Sequence, residues 1–322
     1  MTTPALDALR PFGRAGVAVT PLAIGTSSWG EERAGESAEE RSARIATMAD
    51  AFFAGRLPSN LLDTSNMYGA HHSEEHIGAA IARAGGVPEG LVVQTKLDRD
   101  TATGDFSGDR MRASVAESLE RLGLDRIPVL YLHDPENIGF EAAMESGGPV
   151  DAIVAMKEQG LADAIGISGG PVDMLQRFVE TDLFDALVTH NRFTLLDRSA
   201  DALLDASAAR NVGVTNAAPY GAGVLTGDPR FAGSYGYRPI HPETKAALDR
   251  MIVLCAEAGV ALAAAALQFS MRDPRVHATI VGPGRVERIA ETERWATASI
   301  PEELWPALEA ARPPADVALD RV

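Results

Sequence analysis

NLLDTSNMYG, residues 60–69, runs an apolar pair, Leu61 and Leu62, into Asp63; a short polar turn then carries Tyr68 to Gly69 and a helix-like segment. This text predicts a buried strand that ends in a carboxylate, with a phenol on the loop just past it. A phenol holds a transferable proton and a carboxylate can hold a cation beside it, so the pair suits a proton-transfer site. A turn-capping Asp and a half-buried Tyr account for the same stretch about as well.

Strand and helix alternate outward from here. Upstream, PFGRAGVAVTPLAIG (11–25) predicts a small hairpin with Gly at its turn running into an apolar strand, and TSSWG (26–30) a loop carrying Trp29. A helix is expected over 39–53. Downstream come a helix over 73–84 with Ile77, Ala80 and Ile81 on one face, a strand over 91–96, a helix over 108–122 stopped by Gly123, and a strand over 129–133. A helix over 150–159, strands over 164–168, 185–190, 212–216 and 278–282, and helices over 201–210 and 243–258 continue the series. That makes about eight strand and helix units, the number that closes a parallel barrel. The strands are short unbroken apolar runs, as expected when both faces are buried. The expected fold is therefore α/β, a (β/α)8 TIM barrel with an N-terminal β-hairpin and a C-terminal helix, in one domain over residues 1–322. A doubly wound sheet would show GxGxxG after its first strand, and that text is missing.

The totals narrow the function classes. The 322 residues are 46% hydrophobic and 23% charged, as in ordinary globular proteins, and carry a formal net charge of -16. A surface of this sign repels phosphate backbones and anionic lipid, so no nucleic acid and no membrane partner is expected, while a local basic pocket for one small anion is still allowed. Cys255 is the only cysteine, which rules out an intrachain disulfide and a cysteine-based metal cluster. With no secretory signal and no apolar run of the ~20 residues that a membrane span needs, the expected location is cytoplasmic. Oligomeric state leaves no readable mark.

In a barrel of this kind the working face is built by the loops at the strands' carboxyl ends. Asp63 and Tyr68 follow the second strand, Lys96 ends the third and His133 ends the fourth, so all four should meet on one rim. An ammonium beside the phenol would stabilise its phenolate and lower its pKa, a carboxylate would keep that ammonium charged, and the imidazole could orient a carbonyl oxygen. Taken singly, Lys96 could be a solvated strand end, His133 a core-satisfying His and Asp63 a turn cap. Unrelated surface residues have no reason to stand at consecutive strand ends of one rim. His71, His72 and His76 invite a metal reading, but no further ligand group completes a site, and a charged helix entry with its neighbouring glutamates is expected instead. No metal is expected.

With these residues in place, the chain resembles the aldo-keto reductase superfamily. The matching text is DTSNMYG (63–69), SEEHIG (73–78), VVQTK (92–96), SLERLGLDRIPVLYLHDPE (118–136) and IGIS (165–168). The resemblance implies a parallel eight-stranded barrel, a nicotinamide cofactor, Tyr68 as proton donor or acceptor, Lys96 and Asp63 as its tuning pair, and His133 as the residue that orients the substrate. IGISGGPVD (165–173), HNRFTLLD (190–197) and GVTNAAPYGAGVLTG (213–227) look like the sugar-oxidising branch that includes L-galactose dehydrogenase and D-threo-aldose 1-dehydrogenase. That likeness implies an NAD(P)-dependent oxidoreductase that oxidises an aldose at C1 to the lactone. An NADPH-dependent aldehyde or ketone reductase and a non-catalytic cofactor-binding regulatory subunit are the alternatives; the partner in the enzyme readings is a small sugar or carbonyl substrate.

For the cofactor, Ser168 and Asn191 could hydrogen-bond a carboxamide across the barrel mouth. The superfamily often has Asn after that Ser; here it is Gly169, and the usual ring-stacking Tyr falls at Ala217. Gly25, Ala218, Tyr220 and Ala222 are further expected contacts. In IVGPGRVERIAET (280–292), Gly-rich backbone precedes a helix with Arg285 and Arg288 nearby, a local anion site. The resemblance matches Gly282, Gly284 and Arg288 to cofactor-phosphate positions and Glu291, with Thr292 beside it, to the adenine end. No Lys stands near Gly282, which favours NAD, while Arg288 could still pair with the 2'-phosphate of NADP. The loops 98–106, 139–148 and 228–242 are expected to wall the pocket, with Trp29 as a wall residue for substrate.

Overall fold

Side-chain parity along eight short strands builds the barrel. In the computed structural model, which describes residues 3–30 and 32–321, these strands are β1 (Leu22–Gly25), β2 (Leu61–Asp63), β3 (Val92–Leu97), β4 (Ile127–His133), β5 (Ala162–Gly169), β6 (Ala186–His190), β7 (Gly213–Ala217) and β8 (Ala278–Val281). Neighbours pair in parallel, and β8 joins both β7 and β1 to close the ring. Leu22, Ile24, Leu62, Val93, Leu130, Leu132, Ile165, Ile167, Leu187 and Val214 point outward into the large core shared with the helices. Alternate residues Ala23, Leu61, Val92, Val129, Tyr131, Ala164, Ala186, Val188 and Ile280 fill the interior. The same parity turns Asp63, Lys96 and His133 inward at the strands' carboxyl ends, because each lies two or four residues beyond an inward apolar residue.

The N-terminal hairpin, Arg10–Pro11 against Ala18–Val19, closes the other end of the barrel with Phe12, which is fully buried in the interior cluster. Helices between the strands include Ala38–Phe53, His72–Ala84, Gly108–Leu122, Pro149–Glu158 and Asp201–Ala209. Local capping residues mark their ends. Ser37 and Glu40 form a reciprocal capping box, Ser107 caps the Arg110 amide, and Gly85 and Gly123 end their helices in the left-handed region. Leu304–Ala310 is the expected C-terminal helix.

Several elements go beyond the sequence reading, among them Phe140–Ala143, a short helix inside the expected loop 139–148. Val172–Glu180 is a helix with Val172, Leu175, Phe178 and Val179 buried. Leu262–Met271 is also a helix; nearly all of it is buried, so it has no polar stripe to advertise its period. Within the expected loop 228–242, Ser234–Tyr235 pairs with Arg238–Pro239 in a small hairpin. Among the described residues, no single helix is long and apolar enough to cross a membrane.

Candidate active site

A chain of buried polar side chains runs up the inside of the barrel to its mouth. Tyr131 donates from its hydroxyl to Gln94 Oε1 at 3.1 Å, and Gln94 Nε2 donates to Asp63 Oδ1 at 2.8 Å. Lys96 Nζ then contacts both Asp63 oxygens, at 2.8 and 2.9 Å, and donates to the Thr64 carbonyl at 2.7 Å. Lys96 is only 1% exposed. Burial works to discharge it, but Asp63 and Tyr68 outweigh burial and hold its pKa above the ordinary value.

The Tyr68 hydroxyl stands 3.4 Å from Lys96 Nζ, the ammonium lies 4.7 Å from its ring centroid, and the His133 ring meets it edge-on at 5.9 Å. Glycine-to-glycine packing holds this loop: a Cβ on Gly30 would sit 2.2 Å from Gly69 Cα, so the loops after β1 and β2 touch through bare backbone. The expectation of an acidified phenol needs correction. Burial raises the Tyr68 pKa, Lys96 pulls it down, Asp63 and Asp98 push it up, and the balance lies above the ordinary 10.0. Tyr68 therefore keeps its proton at neutral pH in this arrangement.

His133 has a partner that the sequence reading missed. Asp98 Oδ1 lies 2.6 Å from His133 Nδ1, while Asp98 Oδ2 accepts from the Met67 amide at 3.0 Å and from the Ser65 hydroxyl. Asp98 follows Lys96 by two residues, so strand parity was the signal that could have placed it inside. Burial alone would lower the His133 pKa; Asp98 first, then Asp134, reverse this and leave it raised. With Nδ1 committed to Asp98, Nε2 is the atom left for a substrate oxygen.

Backbone strain gathers at the same mouth. Asp134 after β4, Asn191 after β6 and Ala218 and Ala222 after β7 all adopt positive φ, from 47° to 60°, although none is glycine. Asn191 is fully buried, its Oδ1 has no hydrogen-bond partner among the described residues, and its carbonyl accepts from the Tyr235 hydroxyl at 2.7 Å. An orphan buried acceptor just past the strand that follows the one carrying buried Ser168 suits an amide donor, so this part of the rim fits a nicotinamide carboxamide.

The remaining expected positions are distributed as follows. Gly25 is demanded by the barrel itself, since a Cβ there would lie 2.7 Å from Ile280 Cγ2. Gly282, Arg285 and Arg288 are exposed beyond β8, where Ser28 Oγ reaches the Gly282 carbonyl at 3.4 Å and Arg33 and Arg44 donate to the Gly284 carbonyl at 2.6 and 3.1 Å. The helix that follows is Glu287–Thr297; it carries Glu291 and the buried Thr292, whose hydroxyl bonds the Arg288 carbonyl. The Tyr220 ring packs edge-on to Trp295 at 5.8 Å, and its buried hydroxyl has no partner among the described residues. Trp29 is a correction. It is 0% exposed within the large apolar core, so its ring has no face open to a substrate, and loop burial rather than pocket lining explains it.

Comparison with known proteins places this geometry in context. The sequence model described as the Aldo/keto reductase family matches residues 21–313. The chain is 31% identical to a D-threo-aldose 1-dehydrogenase of Pseudomonas sp over 324 residues, covering 92% of this chain and 95% of that protein. It is likewise 31% identical to an L-galactose dehydrogenase of Arabidopsis thaliana over 289 residues, covering 88% and 86%. The solved structure of an aldo-keto reductase from Bacillus halodurans in its holo form superposes with a TM-score of 0.75 at 19% identity, covering 98% of this chain and all of that one, and shares the barrel fold.

Proposed function

The chain belongs to the aldo/keto reductase family and is an oxidoreductase that uses a nicotinamide cofactor; from that premise we propose that it oxidises a cyclic aldose at C1 to the lactone, with Tyr68 as the proton-transfer residue. The observation that carries the chemical role is the Tyr68 hydroxyl 3.4 Å from an ammonium that Asp63 keeps charged. The choice of an aldose is supported by the likeness to the D-threo-aldose and L-galactose dehydrogenases. The cofactor, when bound, supplies the acceptor for the hydride leaving C1. Ser168 and Asn191 would hold its carboxamide, and Gly282, Gly284, Arg285 and Arg288 its phosphates, with Glu291 and Thr292 toward the adenine. We assign NAD as the preferred form, since no lysine stands beside Gly282 to meet a 2'-phosphate.

For C1 oxidation, the anomeric hydroxyl hydrogen-bonds to Tyr68 and to His133 Nε2. Tyr68 is protonated at rest, so oxidation begins with loss of the phenol proton to solvent, which the field of Lys96 assists; the phenolate then takes the substrate's proton as the hydride leaves. His133 donates to the oxygen as it becomes a carbonyl. The raised phenol pKa favours a second reading, carbonyl reduction with Tyr68 as acid and NADPH as donor. Initial rates with NAD and free aldoses against NADPH and simple aldehydes, followed by nicotinamide absorbance, separate the two. Aldose turnover with NAD at rates well above those for aldehydes with NADPH is expected; the reverse order overturns the first reading.

A further inference from the structure

Glu136 reaches across the end of β5 and fills the space beside Gly169. Its Oε1 accepts from the Gly170 amide at 3.0 Å, and a Cβ at position 169 would lie 2.6 Å from its Oε2. A Cβ at 169 would oblige the flexible end of Glu136 to shift, so the glycine leaves room for the carboxylate where it stands. Asp134 and His190 complete a group whose ligand atoms all lie within 4.8 Å of one another, and Asp134 Oδ1 is 3.6 Å from His133 Nε2.

The charges at this mouth do not balance. Lys96 is matched by Asp63, His133 by Asp98 and Arg192 by Asp320. Burial, then Arg192, depresses the His190 pKa to about 4, which leaves it neutral at pH 7. Asp134 and Glu136 face each other with no Lys or Arg ion-pair partner among the described residues. Glu136 is exposed at the open mouth; partial desolvation of its carboxylate, then Asp134, raises its pKa.

We propose that Glu136, with Asp134, biases the cofactor site toward the oxidised nicotinamide over the reduced one. This rests on the function proposed above, in which Ser168, next to Gly169 at the end of β5, and Asn191, just past β6, hold the carboxamide. The oxidised ring carries a positive charge and the reduced ring does not, so a neighbouring carboxylate stabilises one form alone, while contacts common to both cancel in the ratio. Only such differential affinity can shift the balance between two forms. The site would thus draw in the form needed to dehydrogenate a substrate.

The test is calorimetric titration of the full chain with NAD, NADH, NADP and NADPH separately. Glu136→Gln should raise the Kd of the preferred oxidised form about tenfold and leave that of the reduced form within about twofold. Glu136→Asp, which keeps the charge, should retain most of the preference. Gly169→Ala, which shifts the carboxylate but keeps its charge, should move the ratio in the same direction as Gln and by less. Equal weakening of both redox forms, equal effects of Gln and Asp, or an unchanged ratio overturns the inference. If the unaltered protein binds no nicotinamide in either form, the proposed function itself fails; if it binds both and the ratio does not move, only this inference fails.

Discussion

Asp98 Oδ1 and His133 Nδ1 lie 2.6 Å apart in the barrel mouth, with both side chains buried. The carboxylate orients the ring and favours its charged form, so His133 is a donor at both nitrogens over a wider pH range than a free imidazole. In the proposed mechanism Asp98 acts through His133, as a positioning residue.

Asp98→Asn keeps the shape and removes the charge, so the His133 pKa should fall. His133 is raised above 6.5 in the fold, so the stability it contributes is fully present below 6.5 and is lost as pH rises through the folded value. Asp98 is depressed below 3.8, so its contribution is present above 3.8 and is lost as pH falls through the lower folded value. The alkaline limb of kcat/KM that reports loss of the His133 proton should move to lower pH in the variant. An unmoved limb, with the His133 resonance titrating as before by NMR, would show that Asp98 does not set this proton.

Tyr68→Phe removes the hydroxyl near Lys96 and leaves the ring to pack against His133. Turnover should drop by at least ~10²–10⁴-fold, while the Kd for the cofactor stays within about twofold. Retention of full turnover would eliminate Tyr68 as the proton-transfer residue.

Lys96→Met leaves Asp63 buried with Gln94 as its remaining side-chain donor. The loss of one partner of a buried pair should cost about 3–5 kcal/mol in urea denaturation. Adding Asp63→Asn removes the stranded charge, so the double variant should regain much of that stability and none of the activity. Activity recovered together with stability would make the pair structural only.

Gly30→Ala places a methyl group 2.2 Å from Gly69 Cα, so the loop that carries Tyr68 has to shift. We expect kcat to fall about 10²-fold, the scale of a ~1 Å misplacement, with little change in cofactor Kd. Comparing kcat with calorimetric Kd decides it; an unchanged kcat would show that the loop tolerates the displacement.

The strand count and the strand-end residues could be read because parallel strands buried on both faces write themselves as short apolar runs, and parity then fixes which side chain turns inward. Helix stops were legible at Gly85 and Gly123, whose left-handed caps are written locally; the caps by Ser37 and Ser107 came only with the structure. The helix at Leu262–Met271 was missed because burial on every side erases its period. Tyr235, which anchors the Asn191 carbonyl from 44 residues away, was also missed because nothing near it in sequence marks that contact.

The sequence by itself determined the parallel barrel and the inward set Asp63, Lys96 and His133, since both follow from residue order and a two-residue period. The tertiary structure decided the rest. It sealed Trp29 in the core, set Asp98 against His133, left the Tyr68 phenol above its ordinary pKa and laid Glu136 over Gly169. The reason is that burial and electrostatic coupling depend on distances between residues far apart in the chain, and those distances exist only once the ring of strands has closed.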